Sequence, residues 1–454
     1  MGSWQLRFSS LVAISVTVVG LTATAAGADE ARHLTGELPD GASWVADVPA
    51  VWNGTTILFS HGFGAPLAQN APDGDTSKAL LAKGYALVGS SYSGSSWWAL
   101  KSAVSDQFGS LRAFERQAGT SQRVIGWGMS MGGLVSALEA EDGAGRLDGA
   151  LSTCGIVAGA INLNNFQLDG LYALTRLLTP GSPVKLVRYA NEVEAFAAGS
   201  SLAAATTAAQ HTAAGRARTA LAAAFMNVST WYDGGAAPEP ADYEAQVRQQ
   251  AESMADVLGF ISLGRYHTEQ SAGGNSSFTV GVDYQALLAG NSHVEQVRAL
   301  YGRAGLDLDA DLAELTRDAN IKADLQAITA LAGSSVPTGR LRVPTLNIHT
   351  VGDQLVPVEH ESWYAAKVAA AGQESLLAQA YVAGTGHCKF QPSETIAGLH
   401  ALEARIESGR WADLIESERL NAGASTPGAP GRYVRFTPPK LSGVVGEAGR
   451  VSSY

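Results

Sequence analysis

The chemistry of this chain starts at Gly128-Met129-Ser130-Met131-Gly132. A serine set between two glycines in this way suits a sharp turn from a strand into a helix. Such a turn lifts the hydroxyl above a sheet, and a Cβ at 128 or 132 would clash where helix and strand pack. In a chain with 51 glycines the pentapeptide alone is a weak signal. Its neighbours strengthen it, because an apolar run, Val124 to Trp127, precedes it and a helix-period segment, Leu134 to Ala140, follows. A hydroxyl attacks only when a base takes its proton, and an acid must orient that base. Asp353 ends Thr350-Val351-Gly352-Asp353, just past the apolar run Leu346 to Ile348, with Glu359 and Glu361 as fallback acids on the same loop. His387 ends Gly384-Thr385-Gly386-His387, just past the last apolar run. Of nine histidines, only His61 and His387 follow an apolar strand into a glycine-containing loop. His211, His267, His293 and His400 fall in helical or polar stretches and are expected at the surface or at caps, and His349 reads as the end of its own strand. No set of three or four ligands with metal spacing can be assembled, so the expectation is no metal and no cofactor.

The elements that must position these groups alternate. Pro39-Asp40-Gly41 breaks the first apolar segments, and Asn53-Gly54 is expected to turn a hairpin into the strand Thr55 to Ser60. A helix over 77–83, a strand over 85–89, a helix over 101–117, a strand over 123–127, a helix over 134–140 and a strand over 147–153 follow. Strands alternating with helices imply a mostly parallel sheet with helices on both faces. The alternation stops near Gly155. Up to about Arg340 the pattern is helical, with an Ala-rich piece over 192–225 and helices over 242–258, 309–317 and 321–332, before strands at 344–348 and 376–383 and helices at 361–371 and 394–408 resume. This is an α/β core, 29–155 plus 341–420, interrupted by a mainly helical insertion, 156–340. Residues 421–454, rich in Gly and Pro, read as an extended tail on the surface.

The chain's 46% hydrophobic and 16% charged residues can bury a sizeable core. With 31 basic against 42 acidic residues, it offers no cationic surface for nucleic acid. Arg7, the apolar run Leu11 to Leu21 and the small residues up to Ala28 read as a signal peptide over 1–28. The run is too short for a stable membrane span. A secreted bacterial protein is the expectation, and its two cysteines would then meet an oxidising compartment.

On Ser60-His61-Gly62-Phe63, Gly128 to Gly132, Thr350 to Asp353 and Gly386-His387, the chain resembles the α/β-hydrolase superfamily over about 50–153 and 340–408. The resemblance implies Ser130 as nucleophile, His387 as general base and acid, Asp353 as its orienter, and the backbone N–H groups of Met131 and Phe63 as oxyanion donors. His61 would then shape the oxyanion loop. Gly89 to Gly94 with Trp97-Trp98 is similar to a stretch in secreted bacterial esterases and peptidases of this fold, which makes Tyr92, Trp97 and Trp98 candidates for a substrate pocket. Large insertions at the position of 156–340 commonly cap the active site in this superfamily. The apolar turn Ile156 to Leu174, with Asn162, Asn164 and Asn165, either lines an acyl pocket or fastens the insertion to the core. Both Cys154, after its strand, and Cys388, after His387, belong at the carboxyl edge of the sheet, where a disulfide is expected. The implied activity is a serine hydrolase cleaving small-molecule or polymeric carboxylic esters. A peptidase on the same fold and a catalytically inactive secreted binding protein remain the alternatives.

Overall fold

The computed structural model describes residues 31–94, 96–447 and 449–450. The signal peptide expected over 1–28 lies outside them. In chain order the first half comprises β1 (Arg32–Glu37), β2 (Ser43–Val48), β3 (Thr55–Ser60), α1 (Gly74–Ala82), β4 (Ala86–Ser90), α2 (Leu100–Ala118), β5 (Arg123–Met129), α3 (Met131–Asp142) and β6 (Gly149–Thr153). Eight helices follow: α4 (Gly159–Leu178), α5 (Glu192–Ala209), α6 (Ala213–Phe225), α7 (Tyr243–Ala272), α8 (Tyr284–Ala289), α9 (Val294–Ala304), α10 (Leu308–Arg317) and α11 (Leu325–Ala332). The chain closes with β7 (Thr345–Gly352), α12 (His360–Ala370), β8 (Leu377–Thr385), α13 (Pro392–Ser408), α14 (Ser417–Ala424) and β9 (Tyr433–Val434).

Among the described residues the strands form one sheet in the order β1-β2-β4-β3-β5-β6-β7-β8-β9. The pairings from β4 through β8 are parallel, and the edges are antiparallel. Every residue of β3, β4 and β6 is buried, as a sheet with helices on both faces requires. The helical insertion carries its own apolar core around Leu171, Leu221, Phe225, Met254 and Leu300. No helix of the described residues is long and apolar enough to cross a membrane.

Three local expectations differ. The hairpin forms between β1 and β2, where Gly41 takes a φ of 90° and Leu38 N–H donates to Ala42 O at 2.7 Å. At Asn53-Gly54 the chain only turns, because both sides of β3 are taken by the parallel neighbours β4 and β5. The Ala-rich piece is two helices, since Thr212 caps a new start with its side chain accepting from Gly215 N. The helix expected over 242–258 runs on to Ala272. Its Gly259 packs against the Phe196 ring of α5, and across the same contact a Cβ on Gly199 would stand 2.1 Å from Leu258 O, so these glycines serve close helix approach and not termination.

The segment expected as an extended tail has more structure. β9 pairs with the free edge of β8, whose unpaired backbone groups would otherwise face solvent. Tyr433 Oη donates to Glu394 O at 2.7 Å. The fully buried Arg450 pairs with buried Asp169 of α4 and donates to Asn165 Oδ1 at 2.7 Å.

Candidate active site

The sheet order sets β5, β6, β7 and β8 side by side, and their carboxyl ends carry Ser130, Cys154, Asp353 and His387 in turn. Ser130 has φ 61° and ψ −122°, a strained conformation for a residue with a Cβ. It is over-determined by its surroundings. Ser130 N–H donates to Thr153 O at 3.0 Å, while Gly133 N–H and Ile156 N–H donate to Ser130 O. A Cβ on Gly128 would meet Gly132 O at 1.7 Å, and one on Gly132 would meet Ser60 O at 1.8 Å, so only glycine fits at either position.

His387 Nε2 lies 2.8 Å from Ser130 Oγ, and His387 Nδ1 lies 2.8 Å from Asp353 Oδ2. With Nδ1–H donating to the carboxylate, Nε2 accepts from the serine hydroxyl, a tautomer assigned from the bonding network. Asp353 Oδ1 accepts from Leu355 N and Val356 N, each at 2.9 Å. Burial would raise the Asp353 pKa, but the charge and hydrogen bond of His387, the nearby His349 and the Val356 N–H together hold it below the ordinary value.

Behind this relay stands a second pair that the sequence reading missed. His349 is fully buried, 3.6 Å from Asp353 Oδ2 and 3.1 Å from Glu361 Oε1, and its Nε2–H donates to Val356 O at 2.9 Å. Asn347 and Gln379 donate to Glu361 Oε2. Burial alone would lower the His349 pKa, but the Glu361 bond and charge, with Asp353, raise it. Glu361 therefore partners His349, and His387 is bonded to Asp353.

The loop after β3 approaches Ser130 closely, for a Cβ on Gly62 would stand 3.3 Å from Ser130 Cβ. His61 Nδ1–H donates to Gly62 O at 2.7 Å, and the ring stacks on Tyr92 at 4.2 Å. Tyr92 Oη donates to His61 O at 3.1 Å. Beneath the loop, Ser60 Oγ donates to fully buried Glu139, whose pKa burial pushes up to about 8.

Of the three pocket candidates, only Trp98 lines the cavity beside Ser130. Tyr92 is buried under the His61 loop, and Trp97 stacks on His267 at 4.7 Å. His267, expected at the surface or at a cap, is buried inside α7, whereas half-buried His293 holds the cap position at the amino end of α9, as expected. The cavity is otherwise apolar, with Phe63, Ile156, Leu163, Phe260 and Leu355, and its polar lining includes Asn164 and Arg265. Asn162 and Asn165 turn away, to Val445 N and to Phe278 N with Arg450. Arg265 was missed, although Ile261, Arg265 and Thr268 recur at helical spacing on one face of α7.

Cys154 and Cys388 form a disulfide with Cα atoms 5.3 Å apart. Their sulfurs and His387 lie close enough to hold an ion, but both sulfurs are spent in the bridge and offer no thiolate.

No protein-family model matches the chain. It is 30% identical over 427 residues to the o-phthalyl amidase of Xanthobacter agilis, covering 88% of this chain and 93% of that one. Among solved structures it is similar to an esterase from Aspergillus oryzae, with 13% identity, 84% and 79% of the two chains covered and a TM-score of 0.42. It is also similar to a rice cell wall degrading esterase from Xanthomonas oryzae, with 16% identity, 80% and 84% covered and a TM-score of 0.37. An acylaminoacyl peptidase of Pyrococcus horikoshii matches at 12% identity and a TM-score of 0.37, and the match covers 79% of this chain but 37% of that longer one.

Proposed function

This chain is a hydrolase that belongs to the family of the o-phthalyl amidase within the α/β-hydrolase superfamily, and from that premise we propose that Ser130, His387 and Asp353 catalyse acyl transfer to water. The single observation that carries the reading is the unbroken relay Ser130 Oγ, His387 imidazole, Asp353 carboxylate, with both links at 2.8 Å. As Ser130 Oγ attacks a carbonyl carbon, its proton passes to His387 Nε2, and the imidazolium is stabilised by Asp353. The carbonyl oxygen becomes an oxyanion held by the backbone N–H groups of Met131 and Phe63. Met131 opens α3, where the first helical N–H groups have no intrahelical partner. His387 then protonates the leaving amine or alcohol, and a water attacks the acyl-Ser130 ester by the same route in reverse.

The scissile bond is an amide or an ester whose acyl group is compact. The cavity beside Ser130 leaves about 50 Å³ for the centres of water-sized molecules, which disfavours long fatty chains. The relative's name supplies the acyl class, phthalyl. Residues 156–340 act as a cap, since Ile156, Leu163 and Phe260 from the insertion close the same cavity as Phe63 and Ser130. The signal-peptide pattern and the bridged cysteines support secretion. A fluorophosphonate probe tests the reading: it labels the wild-type chain and not Ser130→Ala. Hydrolysis of a panel of nitrophenyl esters and nitroanilides then separates ester from amide preference. A wild-type chain that stays unlabelled and inert overturns the proposal.

A further inference from the structure

We propose that Arg265 is the specificity-determining residue of the acyl pocket, receiving a carboxylate carried by the acyl group next to the scissile carbonyl. The inference rests on the acyl-transfer reading and deepens it.

Arg265 is 2% exposed and lines the cavity that Ser130 also lines. A guanidinium has five N–H donors in a planar fork that fits a carboxylate. Here one goes from Nη1 to Ser277 Oγ and one from Nη2 to Asn164 O, both at 2.6 Å, and both acceptors are neutral. The Nε–H is buried without a partner.

Among the described residues no carboxylate lies within ion-pair distance of it. The two acids whose charge it feels do not bond it. Asp169 accepts from Arg450 and from Tyr284 Oη, while Glu269, one turn further along α7, accepts from Arg188 N–H at 2.7 Å through Oε2 and keeps Oε1 buried without a partner. Burying a guanidinium without a counter-ion is costly, and buried charges are normally paired. Arg450 shows how this fold meets that requirement, because it is just as buried and holds a carboxylate directly. Arg265 differs in that it has no such carboxylate and also lines a cavity.

The rest of that cavity favours a flat apolar body. Phe63, Trp98, Ile156, Leu163 and Phe260 supply aromatic and aliphatic walls. A cation in such walls beside a nucleophile matches an aromatic acyl group bearing one ionised carboxylate, the 2-carboxybenzoyl half-amide or half-ester. The carboxylate would complete the fork and satisfy Nε–H, whereas an uncharged benzoyl group would leave the guanidinium desolvated and unpaired. Sites built to bond a group reject analogues that lack it by large factors.

The test uses the wild-type chain with 2-acetylbenzoate and the uncharged acetophenone as inert ligands in calorimetry, and with the 2-carboxybenzoyl and benzoyl nitroanilides as substrates. 2-Acetylbenzoate is expected to bind at least about 100-fold more tightly than acetophenone, with a similar ratio in kcat/KM for the two substrates. Arg265→Met, checked for cooperative unfolding, should abolish both ratios, and Arg265→Lys should restore part of them, chiefly through KM. Equal binding of the two ligands by wild type overturns the proposal without any variant, as does a ratio that survives in Arg265→Met. Probe labelling at Ser130 separates the two readings. A labelled chain without carboxylate preference removes Arg265 and leaves the hydrolase, while an unlabelled chain that still prefers 2-acetylbenzoate removes the hydrolase and leaves the carboxylate site.

Discussion

Cys388 follows the proposed base directly, so breaking its bond to Cys154 should affect stability and turnover in separable ways. The bridge joins residues 234 apart. In the chain-entropy model, closing a loop of that length removes unfolded-state freedom equivalent to about 5 kcal/mol, an upper figure that native strain and residual structure usually reduce to about 2–4 kcal/mol. In the folded chain the two ends are also tied by other bonds. Cys154 N–H donates to Ile348 O at 2.8 Å, Gly386 N–H donates to Gly352 O at 3.0 Å, and Thr350 Oγ1 donates to Gly386 O at 3.0 Å. The sheet therefore survives reduction, while the short stretch 387–388 loses its one covalent anchor. Displacing the imidazole by about 1 Å is enough to cost on the order of 100-fold in rate. The double variant Cys154→Ala/Cys388→Ala is expected to unfold at lower urea by about 2–4 kcal/mol. Well below its midpoint, where circular dichroism is unchanged, it should lose 10- to 100-fold in kcat, as estimated from that displacement. The assay is titration of active sites with a fluorophosphonate followed by ester turnover in urea. A variant with full turnover per labelled site refutes the reasoning, because the Gly352 and Thr350 bonds alone would then hold the base.

Ser130→Ala and His387→Ala should each lower kcat by roughly 10⁴-fold or more with unfolding midpoints nearly unchanged, and the double variant should be no slower than either, as steady-state kinetics will tell. Glu139, with its pKa pushed up to about 8, keeps its proton in the folded state after the unfolded chain has released it. Its contribution to stability is fully present below about pH 4.5 and is lost as pH rises through about 8, at up to ~1.4 kcal/mol per pH unit, so Glu139→Gln should flatten the curve of Tm against pH over that window. Glu361→Gln removes the counter-charge of buried His349 and should destabilise by about 3 kcal/mol. Because the His349 pKa is raised, that difference is largest below pH 6.5 and shrinks as pH rises past the folded value. A difference independent of pH in denaturant melts would show that His349 is neutral throughout.

The three groups of the relay were legible because each follows an apolar strand into a short loop, and a parallel sheet brings all such loops to one edge. Gly128 and Gly132 were legible for the same steric reason that the structure displays. The disulfide followed from the same edge. The interior of the insertion was not legible. A helix buried on most sides, such as α4, shows no clean polar face, so Asn164 and Asn165 looked alike although one lines the cavity and the other binds Phe278 and Arg450. The helix expected over 242–258 runs on through Gly259, and sequence does not reveal that α5 lies against that glycine. Tyr92 and Trp97 were placed by resemblance to a motif, and local backbone decided otherwise: Tyr92 has φ 58°, and its ring stacks on His61. Arg265 shares α7 with the exposed Arg248 and Glu252, and only its register with Ile261 and Thr268 marks it out.

The pairing of β6 with β7 sets when this molecule can become active. Their register joins Ala150 to Thr345 and Thr153 to Ile348, so neighbours in the sheet are separated by the whole insertion. During synthesis the strand carrying Ser130 leaves the ribosome more than two hundred residues before the loop carrying His387. Until then the half-sheet ends at β6, with an unpaired edge exposed and a wide loop still to be closed. The insertion, which has its own core, can collapse first and shorten that search. Ser130, the proposed nucleophile, thus stays without its proposed base through assembly, and a chain crossing a membrane before folding would carry no assembled relay on the side where it was made.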